Sequence, residues 1–466
     1  MKRIAFLVVP LLLAACSGGT NPCKLDDPST CPSGQVCESI QNQNAPACFY
    51  PVQLKGQVSD LSSSAAIAGA SVSAFDENGA PAASVAASAT DGSYALRIPS
   101  VRADSTGKPI GRKVALRAAA GNYFNFPAGV RISLPIDTSA AAQANGSGPY
   151  LISGGQADIG LIALTIAAQG RPSISGTVEV SPSQMGVLVV AETSNVPITA
   201  IADLTGSFTL FNVPPGSVHV QAYSRGTNYT AVDLSVQSGV DTTGLQIRKS
   251  GLPTATLNGS VNLVAGAPGP TSVVIVVEST FNASLIRGDM PPGLRAPDPG
   301  TLPNVTSAWS IAGLPDGRYV VLAAFENDGD VRDPDPNIAG TQIPHIAVSG
   351  GAVVNGVQPS FKVTSAVGMV SPGAGDAMDV APAPPTFTWQ AYPSTRTYDL
   401  TLFDAMGNTV WTKTVTAVTG QNNAATYDGA TALGSGKVYQ WRALAKGTAG
   451  NPISQTEELR GVFRVQ

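Results

Sequence analysis

The sequence predicts an all-β fold, a row of tandem small antiparallel β-sandwiches, and three observations carry that prediction. Gly and Pro are abundant, 49 and 36 residues of 466, and they fall at turn-like intervals rather than in one low-complexity tract. Between them lie short runs that alternate apolar and polar residues with a β-branched bias, the period-2 signature of strands. The pattern also recurs: "DGSYALRIP" from Asp91, "TGSFTLFNVPPGSVHVQAY" from Thr205 and "SAWSIAGLPDGRYVVLAAF" from Ser307 are related wordings of one unit. At roughly 100 to 150 residues per domain, the length allows three to five such units.

Composition narrows the function classes. Charged residues make up 12% of the chain, about half the usual ~25%, while the apolar share of 43% is near ordinary, so charge-driven disorder is excluded. The net charge is −4 and no basic stripe appears. The electrostatic footprint that nucleic-acid binding requires is therefore missing.

Residues 1–15 read as an export signal. Lys2 and Arg3 precede an apolar run from Ile4 to Ala15, which is too short to span a membrane but has the length of a signal-peptide core. Its end, "LAAC" at Leu13 to Cys16, resembles the lipobox of bacterial lipoproteins. That resemblance implies cleavage before Cys16, acylation of its thiol and a palmitate-type membrane anchor, with two or three acyl chains holding firmly because each buried CH₂ contributes ~0.8 kcal/mol. Ser17 in place of an Asp implies the outer membrane, on either its periplasmic or its surface-exposed face.

Residues 16–50 read as a disulfide-rich tether. Cys23, Cys31, Cys37 and Cys48 lie within fewer than about thirty residues of an exported chain, a segment too small to stabilise itself by apolar burial. Without a CxxC pair or a nearby His, the spacing does not fit tetrahedral zinc. Three pairings are open on paper. A loose resemblance to growth-factor-like modules implies Cys23 with Cys37 and Cys31 with Cys48.

Each repeat then opens on an apolar, polar, Gly, polar, apolar strand: "LKGQV" at Leu54, "ISGTV" at Ile174 and "LNGSV" at Leu257, where the Gly permits a bulge or a close backbone approach. A second apolar run follows ("ASVSAF", "GVLVVAE", "SVVIVVE"), and then a turn into a strand bearing Tyr94, Phe208 or Trp309. Repeats two and three add Pro turns at "VPPG" and "LPDG". Gly176, Gly206, Phe208 and Pro214 to Gly216, and likewise Gly259, Trp309, Pro315, Gly317 and Tyr319, resemble the carboxypeptidase regulatory-like domain, a transthyretin-like β-sandwich of bacterial envelope proteins. The resemblance implies sandwiches over residues 51–168, 169–250 and 251–364. Repeat one departs from it, because Pro99 is followed by a charged loop, "SVRADSTGKPIGRK".

Residues 365–466 resemble a fibronectin type III or immunoglobulin-like module, with Trp389, Tyr398, Leu400, Trp411, Tyr439 and Trp441 at strand spacing. Such rings usually fill the core between two sheets, and an aromatic platform for sugars is the sharper alternative.

Catalytic groups are sparse. The two histidines, His219 and His345, sit in strand-like stretches and read as surface residues, and no phosphate loop, GxSxG elbow or HExxH helix occurs. One polar cluster stands out, "ENDGDVRDPDP" at Glu326 to Pro336. Glu326, Asp328, Asp330, Asp333 and Asp335 there either converge on Ca²⁺ or form a solvated acidic loop, and the EF-hand pattern is not matched. The expectation is a non-catalytic outer-membrane lipoprotein. It meets the lipid membrane through its acylated Cys and acts as a spacer or as a binding surface for a protein or glycan partner. The alternatives are a carbohydrate-binding adhesive protein or the accessory subunit of an envelope hydrolase.

Overall fold

The computed structural model describes residues 23–25, 28–133, 135–155, 157–180, 186–194, 196–265, 271–298, 305–323, 330–332, 343–356, 359–375 and 378–466. These residues form β-structure throughout, and their only helices are 3₁₀ turns of three residues. Four cores, each closed between two sheets, follow one another along the chain, behind a two-stranded ribbon (Val36–Glu38 with Ala47–Phe49) that holds the disulfides.

The three repeats share one topology. The opening strand (Val52–Asp60, Ile174–Val178 or Ala255–Ala265) pairs antiparallel with the strand that carries the repeat's aromatic (Ser93–Ile98, Ser207–Leu210 or Ala308–Leu314). On its other side it pairs in parallel with the strand that closes the unit: Ile159–Leu161, Thr242–Ile247 or Ser360–Ser365. This ladder is parallel within sandwiches that are otherwise largely antiparallel, the fold class expected. In units two and three the closing strand arrives from the facing sheet by a crossover rather than a hairpin, so it runs with the opening strand; in unit one Tyr150–Ser153 makes that crossing and pairs in parallel with the opening strand first.

The hinge glycines lie at that crossing. A Cβ on Gly56 or Gly176 would stand 2.1 Å from the carbonyl oxygen of Ala157 or Leu245, and one on Gly259 would stand 2.1 Å from the Trp309 ring. The close approach read from the sequence is thus a packing requirement. The Pro turns are corners rather than hairpins, because Ser207–Leu210 and Gly216–Tyr223 belong to facing sheets, as do Ala308–Leu314 and Gly317–Ala323. Val218, Val220 and Ala222 point into the core as expected.

The second apolar run of each repeat differs in a way that sets how the units pack. In unit two, Val187, Val189 and Ala191 fill that unit's own core, while Leu188 and Val190 belong to the core of unit three. In unit three, Val273, Ile275 and Val277 face inward, and Val274 and Val276 are covered by Phe281, Ile286 and Met290. A strand buried on both faces reads as a continuous apolar run. Unit one is the exception: in Ser71–Phe75 the core takes Val72 and Ala74, and Ser71 and Ser73 face outward.

The fourth core lies between Met369–Ser371, Thr386–Trp389 and Asn423–Thr426 on one side and a six-stranded sheet centred on Val438–Lys446 and Thr397–Asp404 on the other. Trp389 and Trp441 are 0% exposed, and Phe387 stacks within 5.6 Å of both Trp411 and Trp441.

Candidate functional site

Cys16 and its lipobox lie outside the described residues. The segment that follows is not a free tether. Disulfides join Cys23 to Cys37 and Cys31 to Cys48, the pairing that the growth-factor resemblance implies. Three of these sulfurs cluster closely, but as disulfides they offer no thiolate to a metal.

The ribbon is then locked onto unit one by the very loop that breaks the repeat pattern. Arg102, 0% exposed, donates from Nε to Glu38 at 2.6 Å, from Nη1 to the Gly107 carbonyl at 2.8 Å and from Nη2 to the Tyr50 carbonyl at 2.7 Å. Its guanidinium lies 5.3 and 5.2 Å from the Phe49 and Tyr150 ring centres. Burial pushes the Glu38 carboxyl above its ordinary value, and the Arg102 charge beside it opposes that rise. Sequence reading noticed the loop as an anomaly and did not find this role, because Arg102 and Glu38 meet only in the fold.

Of the acidic cluster, only Asp330 is described, as the first residue of the strand Asp330–Arg332; Glu326, Asp328, Asp333 and Asp335 lie outside the described residues. Both histidines are surface residues paired with carboxylates. His219 Nδ1 lies 2.7 Å from Asp233 across neighbouring strands, and His345 Nδ1 lies 2.7 Å from Glu278, which also takes a hydrogen bond from Arg318. Glu278 is partly buried, which raises its pKa, but the hydrogen bonds from Arg318 and His345 outweigh this and hold it below its ordinary value. Neither pair has a nucleophile in hydrogen-bond contact among the described residues.

The aromatic platform is corrected outright. All four tryptophans are buried, the most exposed being Trp411 at 9%, with its Nε1 donating to Asp428 at 3.0 Å. These rings make the core between the sheets, and none of the C-terminal tryptophans presents a face to a sugar.

Two features that sequence reading missed arise where units meet. The first is a cleft of about 160 Å³ between units one and two. One wall is the outer face of Ser71–Phe75 and Lys113–Ala119, and the other is Thr199 to Ile201 with Asp203 and Ser207 to Thr209. Hydrogen bonds fix the walls to each other: Asn125 Nδ2 donates to the Thr199 carbonyl at 2.8 Å, and the Asn122 amide donates to Asn212 Oδ1 at 2.6 Å. Arg117 and Thr199 both bind Asp289 of unit three, at 2.8 and 2.9 Å.

The second is a junction of units one, three and four. Leu285, on a loop of unit three, is buried against Val130 of unit one and Phe403 and Val438 of unit four. Arg442 donates to the Leu285 carbonyl at 3.0 Å, Arg287 donates to the Gly129 carbonyl at 3.1 Å and to that of Glu458, and the Val130 amide donates to Ala405 at 3.2 Å. Burial and the neighbouring Arg442 charge push the Arg287 guanidinium down, with Glu458 opposing. Gly129 and Gly407 are needed here, since a Cβ would stand 2.2 Å from the Ala405 oxygen and 2.7 Å from Leu285.

No family model matches the chain, and no curated protein matches it. Among solved structures, the chain is similar to a tetra-tandem repeat from the extending region of a large adhesion protein, at 14% identity over 89% of this chain and 99% of that one, with a TM-score of 0.16. It is similar to two B repeat units of the collagen-binding protein of Staphylococcus aureus, at 13% identity over 87% and 100%, TM-score 0.17. BcpA, the major pilin subunit of Bacillus cereus, aligns at 10% identity over 68% and 99%, TM-score 0.17. At such TM-scores the chains do not superpose as wholes. Among the described residues, no helix is long and apolar enough to cross a membrane.

Proposed function

We propose that the chain is a non-catalytic, lipid-anchored protein of the bacterial cell envelope. In this reading its β-sandwich modules, over residues 51–168, 169–250, 251–364 and 365–466, form a fixed binding surface held close to the outer membrane. The first three modules are of the carboxypeptidase regulatory-like kind and the last is fibronectin type III-like. The observation that carries the reading is the welded N-terminus. The candidate lipidation site Cys16 stands just before a ribbon closed by two disulfides, and the buried Arg102–Glu38 pair clamps that ribbon to the first sandwich. Disulfides of this density belong to an oxidising, exported setting, and a clamped ribbon transmits the position of an anchor instead of letting the array swing.

Labelled palmitate added to a bacterial host expressing the full chain is expected to enter the protein and to be absent from Cys16→Ala. No label in the wild type, or label that persists in Cys16→Ala, would remove the anchor. The calcium reading of Glu326, Asp328, Asp330, Asp333 and Asp335 stays a proposal, decided by titration calorimetry of the wild type against Asp328→Ala. A glycan-binding role in place of a plain spacer is favoured by one observation, the polar cleft between units one and two.

A further inference from the structure

We propose that this cleft binds a single neutral sugar ring, such as the terminal residue of an envelope or host glycan. The comparison among repeats points to it first. In units two and three the outward positions of the second strand are Leu188 and Val190, or Val274 and Val276, all buried by neighbours, whereas unit one places Ser71 and Ser73 there and leaves them facing open space. Neither hydroxyl has a hydrogen-bond partner among the described residues.

The rest of the lining fits one ligand chemistry. Arg117 is neutralised by Asp289, so the cleft offers no net positive charge to an anion. Asp203 binds Thr205 and Ser207 through Oδ1 and leaves Oδ2 without a protein partner, a strong acceptor for a hydroxyl. Phe126 and Ile201 add apolar surface suited to the C–H face of a pyranose. Hydroxyl donors, a carboxylate acceptor and an apolar floor in a space of about 160 Å³ match one polyhydroxylated ring and are too small for a drug-sized ligand, which takes ~300 Å³ or more. The hydrogen bonds between Asn125 and Thr199 and between Asn122 and Asn212 hold the walls in place before any ligand arrives, which lowers the cost of binding.

This inference rests on the reading of the array as a binding surface, and it is independent of the anchor, which the palmitate experiment tests alone. Saturation-transfer NMR on the full-length chain in detergent, with free glucose, galactose, mannose and N-acetylglucosamine as probes, is expected to show transfer to the ring protons of at least one sugar. That transfer is expected to be lost in Ser73→Trp, which fills the cleft, reduced in the milder Ser71→Leu, and kept in Ser217→Trp on an exposed strand elsewhere. No transfer to any of the four sugars, transfer undiminished in both cleft variants, or displacement by inorganic phosphate would overturn the proposal.

Discussion

Arg102 carries a full charge in a site with no solvent contact, and every nitrogen of its guanidinium has an acceptor. A buried pair of this kind adds little net stability, but removing one partner strands the other charge at a cost of about 3–5 kcal/mol. Arg102→Ala should therefore lower the calorimetric transition of unit one and free the disulfide ribbon to proteolysis, while Arg102→Met with Glu38→Gln should recover most of the loss. An unchanged transition in Arg102→Ala would mean that the ribbon is not clamped. At this scale the sequence was only partly readable. The histidines declared themselves as strand surface residues, and the buried tryptophans follow from ordinary sandwich packing. The partnership of residues 38 and 102 depends on a fold that no local pattern encodes.

At the scale of elements, the repeated glycines were legible because their causes are local. Gly206 has φ +85°, and a Cβ there would meet the Val178 oxygen at 2.2 Å, while Gly239, at φ +70°, has open space around it. Gly239→Ala should therefore cost only the left-handed strain of about 1 kcal/mol, and Gly206→Ala about 2 kcal/mol or more, because it adds a collision with backbone. Equal losses in chemical denaturation would contradict the crossing geometry. The apolar runs at Leu188 to Ala191 and Val273–Val277 were legible as strands, whereas the covering of both their faces by neighbouring elements is set by the fold. The parallel ladder between opening and closing strands was not readable. It is set by the crossover between sheets, a non-local choice that leaves strand composition unchanged. The cleft was hidden for the same reason, although its one local trace, Ser71 and Ser73 where the other copies are apolar, stood in the sequence.

At the scale of the whole molecule, four sandwiches in sequence are not four in a line. Unit three touches unit two through the Gly226–Gly313 hydrogen bond of 2.8 Å and through Arg225 with Asp298 at 2.7 Å. It touches unit one through Arg117 with Asp289 and through Arg295 with the Glu77 carbonyl at 2.9 Å, and it meets unit four at the Leu285 junction. The first and last units thus meet both directly, at Val130 and Ala405, and through the third, and the array is an interlocked body rather than a string. Such a body keeps the cleft between units one and two at a fixed geometry. The measurement that tests this most directly is small-angle X-ray scattering of a soluble form beginning at Ser17. A compact body of this length has a radius of gyration of roughly 22 Å, and Leu285→Asp should increase it; four sandwiches strung end to end would give about 40 Å. A wild-type value near the larger figure, unchanged by Leu285→Asp, would contradict the interlock.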